Sequence, residues 1–130
     1  MRKQTTEQLR AKAAWEQVSR LNKSDLKEFL PIANGAASLI QKIGLGQAVA
    51  FWLSASGKMN QKMADFLSER LLRENNDDLL AQDEKFKQGK KLMVFIMEQS
   101  SIDYRRITNE AVAYLFWVKR FSKARNKDQD

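Results

Sequence analysis

The stretch TNEAVAYLFWVKRFSK, Thr108–Lys123, decides how this chain folds. Ala111 to Val118 is apolar without a break. A helix built from it is apolar on every side, and such a helix belongs in the middle of a bundle. Its exit changes character at once, because Lys119, Arg120, Lys123, Arg125 and Lys127 crowd the last turns. Cations there complement the negative end of the helix dipole. They also make a basic patch fixed to a rigid core.

Working outward, the rest of the chain repeats helical periods. Thr5 or Thr6 is placed to cap a first helix over 5–21, with Glu7 in its first turn. Ala11, Ala14, Trp15, Val18 and Leu21 recur every three or four residues and form one apolar face. Arg10, Lys12 and Arg20 fall off that face and are expected in solvent. Ser24 caps a second helix over 24–43, which Pro31 breaks or kinks and Gly44 ends, with Lys42 near the carbonyl end. A third, nearly all-apolar helix spans 45–54 and stops at Ser54-Ala55-Ser56-Gly57. Met59, Met63, Phe66, Leu67 and Leu71 stripe a fourth over 59–74. After the polar turn Asn75-Asn76-Asp77-Asp78, a fifth covers at most 83–99, with Phe86, Leu92, Met93, Phe95 and Ile96 as core candidates. Ser100–Ile107 reads as a short connection. Thr108 then caps the last helix, 108–124, which frays into the charged tail 125–130. No repeat and no strand-like alternation interrupts the pattern. The expected fold is all-α: one domain, a compact bundle of about six helices with the C-terminal helix buried, Phe51 and Trp117 included.

Composition excludes much chemistry. The 130 residues contain no cysteine and no histidine. That removes disulfides, thiol nucleophiles, Cys/His zinc sites and imidazole acid–base catalysis. The polar start MRKQTTEQLR carries no apolar signal region. The longest apolar run is eight residues, far short of the ~20 that span a bilayer. A soluble, cytoplasmic protein without a membrane partner is expected. Net charge is +7, unevenly spread. Residues 1–57 hold 8 basic and 4 acidic groups, 58–100 hold 8 of each, and 101–130 hold 7 and 4. If the two ends pack together, their surplus merges into one face able to attract a polyanion.

No motif reads as an active site. Gly44-x-Gly46 is half of a dinucleotide fingerprint, but no strand precedes it and the third position is Val49, so a helix boundary is the better reading. Asp77, Asp78, Asp83 and Glu84 lack the alternating spacing of a calcium loop and read as a solvated turn. Glu98 and Glu110 have no partner that would make them an acid–base pair. Neither a metal nor another cofactor nor a small-molecule ligand is expected. Tyr104, Trp117 and Phe121 have rings suited to stacking on bases, though aromatics at helical spacing are more often core. The basic residues remain. Lys119, Arg120 and Lys123 share one side of the last helix, Arg105 and Arg106 precede it, and Arg10 lies on the first helix. Such cations neutralise phosphates without reading bases, so binding would be sequence-tolerant and salt-dependent.

Four short segments then carry a resemblance. They are Glu7-Gln8-Leu9-Arg10-Ala11 followed by Ala14-Trp15-Glu16 and Val18; Gly44-Leu45-Gly46-Gln47-Ala48-Val49-Ala50-Phe51; Tyr104-Arg105 with Thr108, Glu110 and Ala111; and Trp117, Lys119, Arg120 and Phe121. In this order, and in a chain of this length without catalytic groups, they resemble the small, fifth subunit of the Cmr-type (type III-B) CRISPR effector complex. The middle, Met59–Gln99, matches in character only. The resemblance implies a helical, non-catalytic subunit whose copies stack beside the backbone filament that holds guide RNA. There it would help form the channel for target RNA, with RNA cutting left to other subunits. It carries Arg10, Arg105, Lys119 and Arg120 over as RNA-facing positions. Arg106, Lys42, Lys123 and Arg125 join them on electrostatic grounds alone. Two other readings stand beside it: a helical adaptor making only protein contacts, and a small DNA-binding regulator. The regulator would need a recognition helix, for which the first helix offers only Arg10, Gln17 and Arg20.

Overall fold

Thr5 starts the first helix through a reciprocal cap: its hydroxyl accepts from Gln8 N–H at 3.0 Å, and its own N–H donates to Gln8 Oε1 at 2.8 Å. The computed structural model describes residues 4–75 and 88–128, and the helices are α1 Thr6–Ser19, α2 Lys23–Ile43, α3 Leu45–Ser54, α4 Lys58–Asn75, α5 Gln88–Met97 and α6 Ser101–Asp128. Among the described residues these six helices form a compact all-α bundle without strands. Phe86 and the acidic residues Asp77, Asp78, Asp83 and Glu84 lie outside the described residues.

Several local expectations give way to longer-range packing. Asn22, not Ser24, caps α2, its side-chain oxygen accepting from Asp25 N–H at 2.7 Å. Pro31 neither breaks nor ends α2, which runs unbroken to Ile43 with the proline on its exposed side. Gly44 does end it, at φ 90°, a conformation that suits glycine, and donates to Ile40 O at 2.7 Å. The connection expected at Ser100–Ile107 is instead the first part of α6. Ser100 caps it by accepting from Asp103 N–H at 3.2 Å. Thr108 lies inside the helix and donates to Tyr104 O at 2.8 Å, so it caps nothing. The expected frayed tail is helical to Asp128.

The helix α6 is the centre of the bundle, packing against α1, α2 and α4. Ile107, Ala111, Tyr114, Leu115, Val118 and Ser122 form its buried face. The apolar run is not covered all round, however: Phe116 is 48% exposed. The same correction applies to α3. Leu45, Ala48, Val49 and Trp52 follow the three-and-four spacing of one buried stripe, and Phe51, off that stripe, is half exposed. On α1, Ala14 and Val18 are buried while Trp15 lies near the rim.

The two ends of the chain do pack together. Glu7 meets Trp117, Trp15 meets Phe121, and Arg125 reaches Val18 and Leu21. These contacts advance together along both helices, so α1 and α6 run side by side in the same direction.

Candidate functional site

The seam between α1 and α6 is built on charge. Arg10 grips Glu110 with two parallel bonds of 2.8 Å, from Nε to Oε2 and from Nη2 to Oε1. Its third nitrogen, Nη1, donates to Glu7 Oε2 at 2.5 Å. Arg70 of α4 adds Nε at 3.3 Å from Glu110 Oε2. Only 15% of the Arg10 side chain and 11% of the Glu110 side chain are exposed. Burial pushes the Glu110 carboxyl up, but the Arg10 hydrogen bonds and the charges of Arg70 and Arg10 outweigh it and hold the group below the ordinary carboxylate range. Arg10 is correspondingly raised, first by its hydrogen bond to Glu110. Arg10 was expected in solvent, and this network is where it lies instead. Glu110, which spacing left without a partner, has two.

Glu7 extends the network outward. Its Oε1 accepts from Trp117 Nε1 at 2.8 Å, which fixes the indole edge. Phe121 stacks on Trp117 with ring centres 5.4 Å apart, and Trp15 meets Phe121 edge-on at 5.1 Å. Deeper, the Tyr114 hydroxyl donates to Gln17 Oε1, and Gln17 Nε2 donates to Phe66 O and to Glu69 Oε2, each at 3.0 Å. Burial raises the Tyr114 phenol well above its ordinary value. These groups tie α1, α4 and α6 together.

The basic residues separate into two groups. Arg105 and Arg106 are exposed at the start of α6, with Arg106 Nε 3.8 Å from Asp103 Oδ1. Lys42 is exposed near the same end, two residues before Gly44, whose backbone lies beside the Tyr104 hydroxyl. That hydroxyl accepts from Gly46 N–H at 2.9 Å, and this bond joins α3 to α6. At the far end Arg120 and Lys123 are exposed and Lys119 is half-buried. Arg105 and Arg120 are fifteen residues apart, or about 22 Å along the helix. Arg125 turns inward and donates to Val18 O at 2.5 Å and Leu21 O at 2.9 Å, so it neutralises the carbonyl end of α1.

What joins the two groups is one solvent-facing stripe of α6. Ile102, Arg106, Asn109, Ala113, Phe116, Arg120, Lys123 and Lys127 follow one another at alternating steps of four and three residues. All are exposed except Ala113, which is half-buried. Sequence reasoning left Phe116 and Asn109 out of the site and named Lys127 only within the basic patch at the helix exit. The same alternation was there to read, but only once the helix is known to begin at Ser101. From Tyr104 to Lys127 the chain holds a single carboxylate, Glu110, and it faces inward. Between Tyr104 and Lys127 the outer face of α6 is therefore basic, and acids flank it only at the helix ends, Asp103 beside Arg106 and Asp128 after Lys127. Among the described residues, no group of three His, Cys, Asp or Glu side chains is placed to hold a metal ion. No helix among them is long and apolar enough to cross a membrane.

Comparison with known proteins agrees with this architecture. The profile described as "CRISPR-associated protein (Cas_Cmr5)" matches residues 6–125. A search of curated proteins finds no match. Among solved structures, the crystal structure of a CRISPR-associated Cmr5 family protein from Thermus thermophilus superposes with a TM-score of 0.72 at 24% identity, covering 94% of this chain and 97% of that one. At that identity the superposition shows a shared fold, and the profile match over nearly the whole chain shows the family. The chain belongs to the Cmr5 family of CRISPR-associated proteins, the small subunits of type III-B effector complexes.

Proposed function

We propose that this subunit is non-catalytic, stacks beside the backbone filament that carries guide RNA, and turns the outer face of α6 toward guide or target RNA. The observation that carries the reading is the α6 stripe: exposed Arg106, Arg120, Lys123 and Lys127, with exposed Arg105 beside it, on a helix whose single carboxylate between Tyr104 and Lys127, Glu110, is committed to Arg10 and Arg70. A row of cations on a rigid helix suits a phosphate backbone and reads no sequence. Glu110, held ionised between two guanidinium groups, is poorly suited to proton transfer. This supports a non-catalytic role.

The test is a reconstituted effector complex carrying Arg120→Ala, Lys123→Ala and Lys127→Ala in this subunit. Incorporation should be unchanged, RNA affinity lower, and the salt slope shallower by about one unit per lost phosphate contact. Unchanged affinity and slope would return the adaptor reading. That reading has its own support in the exposed apolar residues Ile43, Met97 and Ile102, the last 79% exposed, at the α6 N-terminal end. Copies or other subunits would meet there.

A further inference from the structure

Midway along the outer face of α6 lies a cleft of about 220 Å³ lined by Glu7, Ala113, Phe116, Trp117 and Arg120. Ala113 stands one turn before the two aromatic residues and Arg120 one turn after them, so the small side chain opens a gap that larger ones border. Trp117 cannot swing away, since Phe121 stacks on it and Glu7 holds its edge. Phe116 remains 48% exposed although it sits in the most apolar run of the chain. We propose that this cleft is a stacking site for one unpaired RNA base, with Arg120 on the adjoining phosphate.

The site rests on the reading of α6 as an RNA face and adds to it a contact that phosphate neutralisation does not require. Charge decides in favour of a nucleotide over an apolar peptide side chain. Arg120 forms one wall, and Lys123 and Lys127 continue along the same stripe. The single carboxylate at the cleft, Glu7, has one oxygen on Trp117 and the other on Arg10. A π-face beside a fixed cation is the arrangement by which single strands are held without sequence preference.

The experiment compares the full chain with Phe116→Ala and Phe116→Trp by fluorescence anisotropy. Two labelled strands of equal length are used, one a single-stranded RNA and the other carrying abasic sites throughout. Phe116→Ala should weaken binding to the base-bearing strand about five- to a hundredfold and leave its salt slope unchanged. Both proteins should bind the abasic strand equally, and Phe116→Trp should restore the parent affinity. Should Phe116→Ala melt early, Phe116→Leu, which keeps the bulk without the ring, takes its place with the same expectation. Equal affinity of the parent for both strands, or no loss in the Ala or Leu variant, overturns the stacking site and leaves the RNA face standing. Binding to neither strand at low salt overturns both.

Discussion

Glu110 is the residue on which the seam between α1, α4 and α6 turns. Its carboxylate is nearly enclosed, and two guanidinium groups more than offset the burial that would otherwise neutralise it. The sign of its pH dependence follows. A carboxyl held lower when folded than when unfolded contributes its full stability above the ordinary glutamate value, about 4.3. It loses that contribution as pH falls through the folded value. Glu110→Gln should therefore lower stability at pH 7 by about 3 kcal/mol, the lower end for breaking a buried pair. The gap to the parent should close in acid, where the parent carboxyl is also neutral. Thermal melts between pH 7 and pH 3 measure this, and a gap that stays constant would mean that shape rather than charge holds the seam. Ser122 makes the opposite case. It is fully buried in α6, and its hydroxyl has no hydrogen-bond partner among the described residues. An unpaired buried hydroxyl is costly and alanine suits a helix better. Ser122→Ala should raise stability by about 1 kcal/mol, and a fall in melting temperature would reveal a partner for the hydroxyl.

At the scale of the helix, α2 carries an evident flaw. Pro31 sits inside it on the exposed side, where its missing N–H leaves the Lys27 carbonyl four residues earlier without a helical partner. Pro31→Ala should add about 2 kcal/mol, somewhat less than the full helix-interior penalty because water reaches that carbonyl. Urea unfolding should show a higher midpoint with an unchanged slope; a lower midpoint would mean that the ring's effect on the helix axis is needed for packing. The helices were legible in the sequence where local signals stood alone. The Thr5 cap, the Gly44 stop and the span of the Leu45–Ser54 helix are all short-range chemistry, although which side of that helix is buried was not. They were not legible where two signals competed. Ser100 and Thr108 are both good capping residues, and only the Tyr104–Gly46 bond and the burial of Ile107, which are tertiary, extend α6 back to Ser101. The candidate site was half legible for the same reason. Charge on α6 can be counted, but Arg10 and Glu110 lie a hundred residues apart in the chain, and no spacing rule pairs them. Arg125 turns inward toward carbonyls that only the packing of α1 brings within reach.

For the molecule as a whole, the surplus of +7 has two meanings that differ in geometry. If it serves only solubility, any exposed cation contributes equally to attraction for a polyanion, and position is irrelevant. If the outer face of α6 is the RNA surface, position is everything. The folded chain offers a controlled comparison, because Lys12 on α1 and Lys27 on α2 are as openly placed as Arg120 and Lys123 on α6. Arg120→Gln with Lys123→Gln, and separately Lys12→Gln with Lys27→Gln, each remove two charges from the same total without touching the seam. Measured in the reconstituted complex at several salt concentrations, the α6 pair should weaken RNA binding and flatten the salt slope by about two units. The other pair should leave both nearly unchanged. Salt screens surface charges beyond about 8–10 Å, so a distant lysine cannot substitute for one on the contact face. Equal losses from both pairs would make the charge a diffuse property of the whole surface. Loss from neither, with assembly intact, would leave α6 a protein-facing helix and the subunit an adaptor.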